Sequence, residues 1–370
     1  MKKCIILGLA LLVLGTALFA DDAKVMPARV GRFYLAPNFS FASGGFDEDG
    51  KLQKFDDGSI KIFNLGFALE YGVNDWITAA VQWAPGWTPW SDLEARSGFK
   101  DSNVNGVADL FVGAKLQIIG EKAPVQNNMF RIAVAPGVII PLPGPDFEEQ
   151  FENAMAGKKA TVANMDKHTL GVGGRLYFDW VINDKFFINL FNETIIFPLK
   201  KDLNDTGPNL AGFKGGLLGT VNTLAGPTAM AAVKKYTDKL EGEVDYKYQL
   251  TFELEPQFST SIADGLIFSA GLPFNYVYNP AAAYSFTGLK DLVDFASGMG
   301  IPLTEEAVIE QGGFAGAESH FLSLRPNVSL FLLKTPLPLE FKFQYGLPLY
   351  GKNTQATNTV IFQVKAYFQI

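Results

Sequence analysis

Residues 360–370 read VIFQVKAYFQI, a run in which every second side chain is apolar and most of those between are polar. Residues 337–347 (LPLEFKFQYGL) and 246–255 (YKYQLTFELE) repeat this alternation. A period of two over ten or more residues indicates β-strands, and strands in soluble proteins usually have only about five or six residues. Strands that cross a bilayer at a tilt need roughly nine to eleven residues. These stretches therefore predict an all-β, transmembrane β-barrel whose apolar face contacts lipid.

Stretches of the same kind recur along the whole chain and predict about twelve antiparallel strands in an up-and-down barrel. They cover residues 31–46, 60–73, 76–87, 106–120, 129–143, 168–182, 185–199, 244–262, 266–286, 319–334, 337–350 and 358–370. Short turns and long loops alternate between them. Barrels of the outer-membrane type have short periplasmic turns and longer external loops, so both chain ends are predicted at the periplasmic rim.

Residues 1–20 have the pattern of a secretory signal peptide, with Lys2 and Lys3 followed by a short apolar run that ends at Ala20. This predicts Sec export and one outer-membrane barrel domain over residues 21–370. The only cysteine, Cys4, lies in the signal, so no disulfide or thiol chemistry is expected. About ten residues precede the first strand, which is too few for a sizeable hatch inside the barrel.

The predicted inward positions carry charges of both signs, although the whole chain is acidic, with a net charge of −7. This net charge argues against nucleic acid as a partner. The charges fit either an ion- or solute-selective lumen or a self-neutralising network that stiffens the wall. The lumen candidates are Lys115, Arg131, Arg175, Lys247, Glu253, Arg325, Glu340 and Lys342.

Three of the predicted external loops are apolar, and each contains a short stretch with helical spacing of apolar residues. The loops cover residues 144–167, 200–243 and 287–318. Such loops predict either a capture site for an apolar ligand or a lid of mutually packed helices, and one structure can serve as both. The candidate ligand-binding residues are Phe147, Phe151, Phe213, Leu217, Leu218, Leu289, Leu292, Phe295 and Met299.

Signals for metal binding or catalysis are weak. Asp101, Asn103 and Asn105 resemble the start of a calcium loop, but Val112 stands where the bidentate glutamate belongs. The two histidines, His168 and His320, have no neighbouring nucleophile in a suitable arrangement. The sequence therefore predicts no cofactor, no metal site and no enzymatic activity.

Residues 106–116 (GVADLFVGAKL), 135–144 (APGVIIPLPG) and 73–76 (VNDW) resemble segments of outer-membrane transporters for hydrophobic compounds. These include the fatty-acid transporter (FadL-like) group and the aromatic-degradation pathway barrels. The resemblance implies passive uptake of hydrophobic or amphipathic small molecules, fatty-acid-like or aromatic. Those transporters have fourteen strands and an N-terminal hatch, so the strand number stays open between twelve and fourteen.

Two other functions fit the sequence, namely a general diffusion porin and a surface adhesin or structural outer-membrane protein. The expected partners are outer-membrane lipid, a hydrophobic ligand and the barrel-assembly machinery. The C-terminal Phe368 and Ile370 resemble the assembly signal that this machinery recognises.

Overall fold

A computed structural model describes residues 22–56, 58–92, 107–142, 167–203, 210–301, 303–311 and 313–369. The strands are β1 (Val30–Ala42), β2 (Gly44–Phe46), β3 (Leu52–Lys54), β4 (Ile60–Asn74), β5 (Ile77–Asp92), β6 (Leu110–Gly120), β7 (Val125–Gln126), β8 (Phe130–Ile140), β9 (Gly171–Asn183), β10 (Phe186–Ile196), β11 (Lys201–Asp202), β12 (Glu241–Asp245), β13 (Tyr248–Ala263), β14 (Leu266–Gly271), β15 (Phe274–Asn279), β16 (Ala283–Thr287), β17 (Ser319–Leu324), β18 (Asn327–Leu332), β19 (Leu339–Lys352), β20 (Thr354–Gln355) and β21 (Asn358–Gln369). The helices are α1 (Leu210–Thr237), α2 (Leu289–Gly298) and α3 (Glu305–Gln311).

The long strands form one closed antiparallel barrel with twelve crossings of the wall. Each crossing pairs with the next along the chain, and β1 closes the barrel by pairing with β21, with Val30 opposite Gln369. Closure leaves no unpaired strand edge, which a bilayer would not tolerate. The prediction of about twelve strands is confirmed, and both described chain ends lie at the short-turn rim.

Two predicted strands are interrupted in the structure. The stretch 266–286 contains β14, β15 and β16, with Leu272 and Pro273 between the first two. The stretch 319–334 contains β17 and β18, separated by Arg325 and Pro326. Proline has no N–H to donate to the ladder, so a strand register breaks there. The adjacent residues still bond across the breaks, since Arg325 N donates to the Pro273 carbonyl at 2.8 Å.

The apolar face of the strands points outward, as the alternation predicts. Phe252 on β13 is 43 % exposed on the outer face, whereas its neighbours Thr251 and Glu253 are buried on the lumen side. Aromatic side chains on the outer face lie near both rims, Trp76 and Trp180 at the short-turn end and Trp87 and Trp90 toward the long loops. Such rings occupy membrane interfaces, so these positions define the span.

The long loops build structure outside the wall. β11, β12 and β16 form a small sheet, β2, β3 and β20 form another, and α1, α2 and α3 lie beside the first. Helix α1 is broken by Gly226, whose φ of 78° is left-handed, and Pro227. Among the described residues, no helix is both long and apolar enough to cross a membrane.

Candidate functional site

The described N-terminal residues 22–28 enter the lumen at the short-turn end, with Pro27 and Ala28 exposed at the rim. Ala23 is fully buried, and its N–H donates to the Asp179 carboxylate at 3.1 and 3.2 Å. Gln117 donates to the Ala23 carbonyl at 2.9 Å, and Met26 N donates to the Thr78 hydroxyl at 2.7 Å. Residues 22–28 thereby contact side chains of β5, β6 and β9.

Lys115 is a cation that contacts this segment. Its ammonium donates to the carbonyl of Asp22 at 2.9 Å and to that of Lys24 at 3.3 Å. The same ammonium lies 4.1 Å from the centroid of the Tyr177 ring. Charge-assisted hydrogen bonds are about twice as strong as neutral ones, so Lys115 contributes strongly to retaining the segment.

Above the segment, charged side chains of neighbouring strands pair along the inner face of the wall. Arg32 donates to Glu70 at 2.6 Å, and Arg175 donates to Glu193 and to Gln82, each at 2.5 Å. A cavity of about 20 Å³ remains here, lined by Glu70, Gln82, Phe111, Lys115, Arg175 and Tyr177 among others. That volume is enough for one water molecule.

The remaining lumen candidates lie mostly on the inner face. Arg131 pairs with Asp179 at 3.1 Å, Glu340 with Lys365 at 3.1 Å, and Glu253 accepts from Asn275 at 3.0 Å. Such pairing is the arrangement of a self-neutralising network. The other two inner-face candidates are Arg325, which donates to Ser323 at 3.0 Å, and Lys342, opposite Gln363.

Lys247 does not lie on the inner face of the barrel, where the sequence predicted it. It is exposed between β12 and β13 with a left-handed backbone (φ 59°), beyond the last paired residue of β13. The strand alternation therefore stops one residue short of it. Lys247 does not belong to the wall of the lumen.

The external elements pack into a hydrophobic cluster, which we call the external cluster. Its buried members include Leu210, Val221, Leu292 and Phe314, and it reaches Phe197 and Tyr246 at the outer end of the wall. Phe314 is central, since its ring lies edge-on to Phe213 and Phe286. The cluster excludes water from apolar loop side chains and therefore holds the loops together as one unit.

The structure brings most predicted capture residues into this cluster. Leu289 and Leu292 are buried in it, and Phe213, Leu217, Leu218 and Phe295 pack against it. Met299 instead follows α2 and is 39 % exposed, outside the cluster. The candidates Phe147 and Phe151 and the calcium candidates Asp101, Asn103 and Asn105 fall outside the described residues.

One residue at the junction of the external cluster and the lumen has no counterpart among the predicted site residues. Lys167 is buried, and its ammonium donates to Gln249 at 2.7 Å and to Asn279 at 3.3 Å. It also lies 4.5 Å from the Phe197 ring centroid and 5.7 Å from that of Tyr246. Lys167 lies before β9, at the end of a predicted loop, so no strand alternation predicts that its side chain points inward.

The chain is similar to solved structures of outer-membrane proteins, one of them with a TM-score above 0.5. It is the COG4313 outer membrane channel from Pseudomonas putida F1, with a TM-score of 0.59 and 11 % identity over 95 % of this chain and 100 % of that one. This chain has the fold of an outer-membrane channel. The fold expected from the sequence resemblance is thereby confirmed.

Two further similar structures have TM-scores below 0.5. They are a TodX deletion mutant described as a monoaromatic hydrocarbon channel (TM-score 0.40, 7 % identity, 100 % and 99 % coverage) and the monoaromatic hydrocarbon channel CymD (0.36, 8 %, 99 % and 98 %). No family profile and no curated protein sequence matches the chain.

Proposed function

We propose that the protein is an outer-membrane channel for passive uptake of hydrophobic or amphipathic small molecules. The observation that carries this proposal is the external cluster, an apolar unit built from loops at the outer end of a polar lumen. A pore for water-soluble solutes has no need of such an apolar unit. The expected partners are outer-membrane lipid and the assembly machinery, and the N- and C-terminal patterns of the sequence support Sec export and machinery-assisted assembly.

The external cluster suits capture because its contacts are replaceable. Aromatic and aliphatic side chains such as Phe213, Leu217 and Phe295 are only partly buried against its core. An apolar ligand that inserts among them exchanges one set of apolar contacts for another and leaves water behind. The lid and the capture site are then the same structure.

The lumen argues against the alternative of a general diffusion porin. Residues 22–28 and the ion pairs above them occupy part of the lumen at the short-turn end, beside a cavity of about 20 Å³. An open porin would conduct small ions steadily at all times. We expect the wild-type protein in a planar bilayer to be closed or to flicker briefly, and a large ohmic current would favour the porin.

Uptake of radiolabelled naphthalene by cells that produce the protein tests the proposal. Phe213→Ala removes an aromatic contact of the external cluster, and Leu224→Ala is the matched control, because Leu224 lies on the same helix but is 80 % exposed. We expect faster uptake than in cells without the protein, a several-fold loss in Phe213→Ala, and wild-type rates in the control. Equal rates with and without the protein would refute the function.

A further inference from the structure

Phe111 on β6 lies on the inner face of the barrel, at the level where the external cluster meets the lumen. Its side chain is buried, and its direct cross-strand partner on β8 is Ile139. Ile139 packs against the external cluster, whereas Phe111 lines the cavity of about 20 Å³ in the lumen. Phe111 is therefore an apolar side chain with the external cluster on one side and the polar lumen on the other.

The ring of Phe111 lies against the wall because the residues beneath it are glycines. Gly113 on β6 and Gly137 on β8 are direct cross-strand partners. A Cβ at Gly113 would lie 3.0 Å from Phe111 Cε1, and a Cβ at Gly137 would lie 2.6 Å from Phe111 Cε2. Glycine within a strand often marks a place where another group approaches the backbone closely. A larger residue at Gly137 would therefore displace the ring from the wall.

The guanidinium of Arg175 covers the Phe111 ring. Its Cζ lies 3.9 Å from the ring centroid, which is a cation–π contact. The same guanidinium donates to Glu193 on β10 and to Gln82 on β5, each at 2.5 Å, so two strands fix its position. The phenyl ring is retained by this contact and by apolar packing alone. Rotation about its side-chain bonds therefore releases the ring from Arg175 without breaking the strand ladder.

Glycines also underlie the wall between the external cluster and the Phe111 ring. A Cβ at Gly171 on β9 would lie 2.9 Å from Ile195 Cγ2 and 3.0 Å from Ile139 Cβ. Ile195 is a buried member of the external cluster, and Ile139 packs against it. Between the cluster and Arg175, the inner-face residues of β9 are glycines. An apolar molecule that leaves the cluster along β8 and β9 therefore meets the Phe111 ring and its guanidinium cover before the cavity.

Resting on the proposed function, we propose that the Phe111 ring is the gate of this apolar path and that Arg175 holds the gate closed. When the ring rotates toward the lumen, the space that it leaves joins the adjacent cavity. An apolar ligand then passes along the glycine-lined wall, where no side chain projects beneath it. Phe111 is thus a specificity-determining residue, because the volume that its ring vacates limits the size of the ligand that passes.

Thiol labelling of the purified full barrel tests the gate, because the only cysteine, Cys4, lies in the predicted signal peptide. Ala135→Cys places a single thiol in the wall of the cavity, two residues closer to the short-turn end than Gly137 on β8. Mass spectrometry measures the rate at which N-phenylmaleimide modifies this thiol. The rate is compared in Ala135→Cys alone and in the same protein with Phe111→Ala or Phe111→Leu.

Phe321→Ala is the matched control, since Phe321 is also a buried inner-face phenylalanine and lies on β17, on the opposite side of the barrel. Heat-modifiable gel mobility verifies that each variant forms a closed barrel. Phe111→Leu keeps an apolar side chain but loses the ring, so it replaces Phe111→Ala in the comparison if the alanine variant does not close.

We expect Phe111→Ala to raise the labelling rate about tenfold, because the loss of a buried cation–π contact has an effect of this order. Phe111→Leu should give a smaller rise, and Phe321→Ala should leave the rate unchanged. In cells, Phe111→Ala should also raise uptake of the larger pyrene relative to naphthalene.

Labelling rates that do not depend on residue 111, or an equal rise in Phe321→Ala, would overturn the gate while naphthalene uptake persists. An unchanged ratio of pyrene to naphthalene uptake would overturn the role of Phe111 in specificity. Absence of naphthalene uptake by the wild type refutes the proposed function instead, whatever the labelling rates are.

Discussion

Lys115→Met should loosen the N-terminal segment and raise the open probability of the channel. The substitution removes an ammonium that donates to the carbonyls of Asp22 and Lys24 at 2.9 and 3.3 Å, and it nearly preserves side-chain length. A hydrogen bond to a charged group contributes about 1.5–3 kcal/mol. One of the two Lys115 hydrogen bonds is short and the other is long, so we expect their loss to cost about 2 kcal/mol in total. The ratio of open to closed channels should therefore rise about 30-fold, since 1.4 kcal/mol corresponds to a factor of ten.

Single-channel recording in a planar bilayer measures this ratio directly. The matched control is Lys342→Met, because Lys342 also faces the lumen but forms none of the described hydrogen bonds to residues 22–28. It removes the same charge without releasing the segment. The reasoning is refuted if Lys115→Met has the open probability of the wild type, or if Lys342→Met raises the ratio as much.

Three further predictions concern the plugged end, the wall and the external rim. Deleting Ala23–Ala28 from leader-free, refolded protein should give a steady ohmic current; a channel that stays closed would place the obstruction elsewhere. Gly86→Ala should lower the free energy of unfolding by about 1–2 kcal/mol in urea titrations. Gly86 has a φ of +86°, and a Cβ there would lie 2.2 Å from a carbonyl oxygen of β4. The control Gly216→Ala should leave the free energy of unfolding unchanged, because the space around Gly216 is open. Lys352 donates to Glu318 at the outer rim and lowers the pKa of that carboxyl. Lys352→Met should raise this pKa toward its ordinary value in an NMR titration; in the wild type the pair stabilises the rim above the ordinary carboxyl pKa, and this contribution is lost as the pH falls through the lowered pKa.

The sequence was sufficient to predict the barrel because period-two alternation is a local property. Glu253 and Phe252 are neighbours, and their opposite faces follow from the strand alone. The same reasoning places Lys115, Arg131 and Arg175 on the inner face, where the structure has them in ion pairs and hydrogen bonds. It fails at Lys247, because the left-handed backbone there ends the alternation.

The partners of those inward groups could not be predicted, since they depend on register between strands far apart in sequence. Arg175 donates a hydrogen bond to Gln82, which is 93 residues away in the sequence, and Lys115 donates one to Asp22 at the same separation. The position of Lys167 could not be predicted for a related reason. Its place beside Gln249 and Asn279 depends on how the loop before β9 returns to the wall, and no local pattern encodes that.

The pairing of β1 with β21 joins the two barrel strands that are farthest apart in the sequence. Contacts between residues so far apart in the sequence form slowly, so we expect closure to be the last step of assembly. Until β21 is in place, β1 and β19 each present a row of free N–H and C=O groups, which readily pair with other chains. A chain whose final strand is not yet in place is therefore an aggregation hazard, and the edges of β1 and β19 are the parts that a chaperone must shield longest.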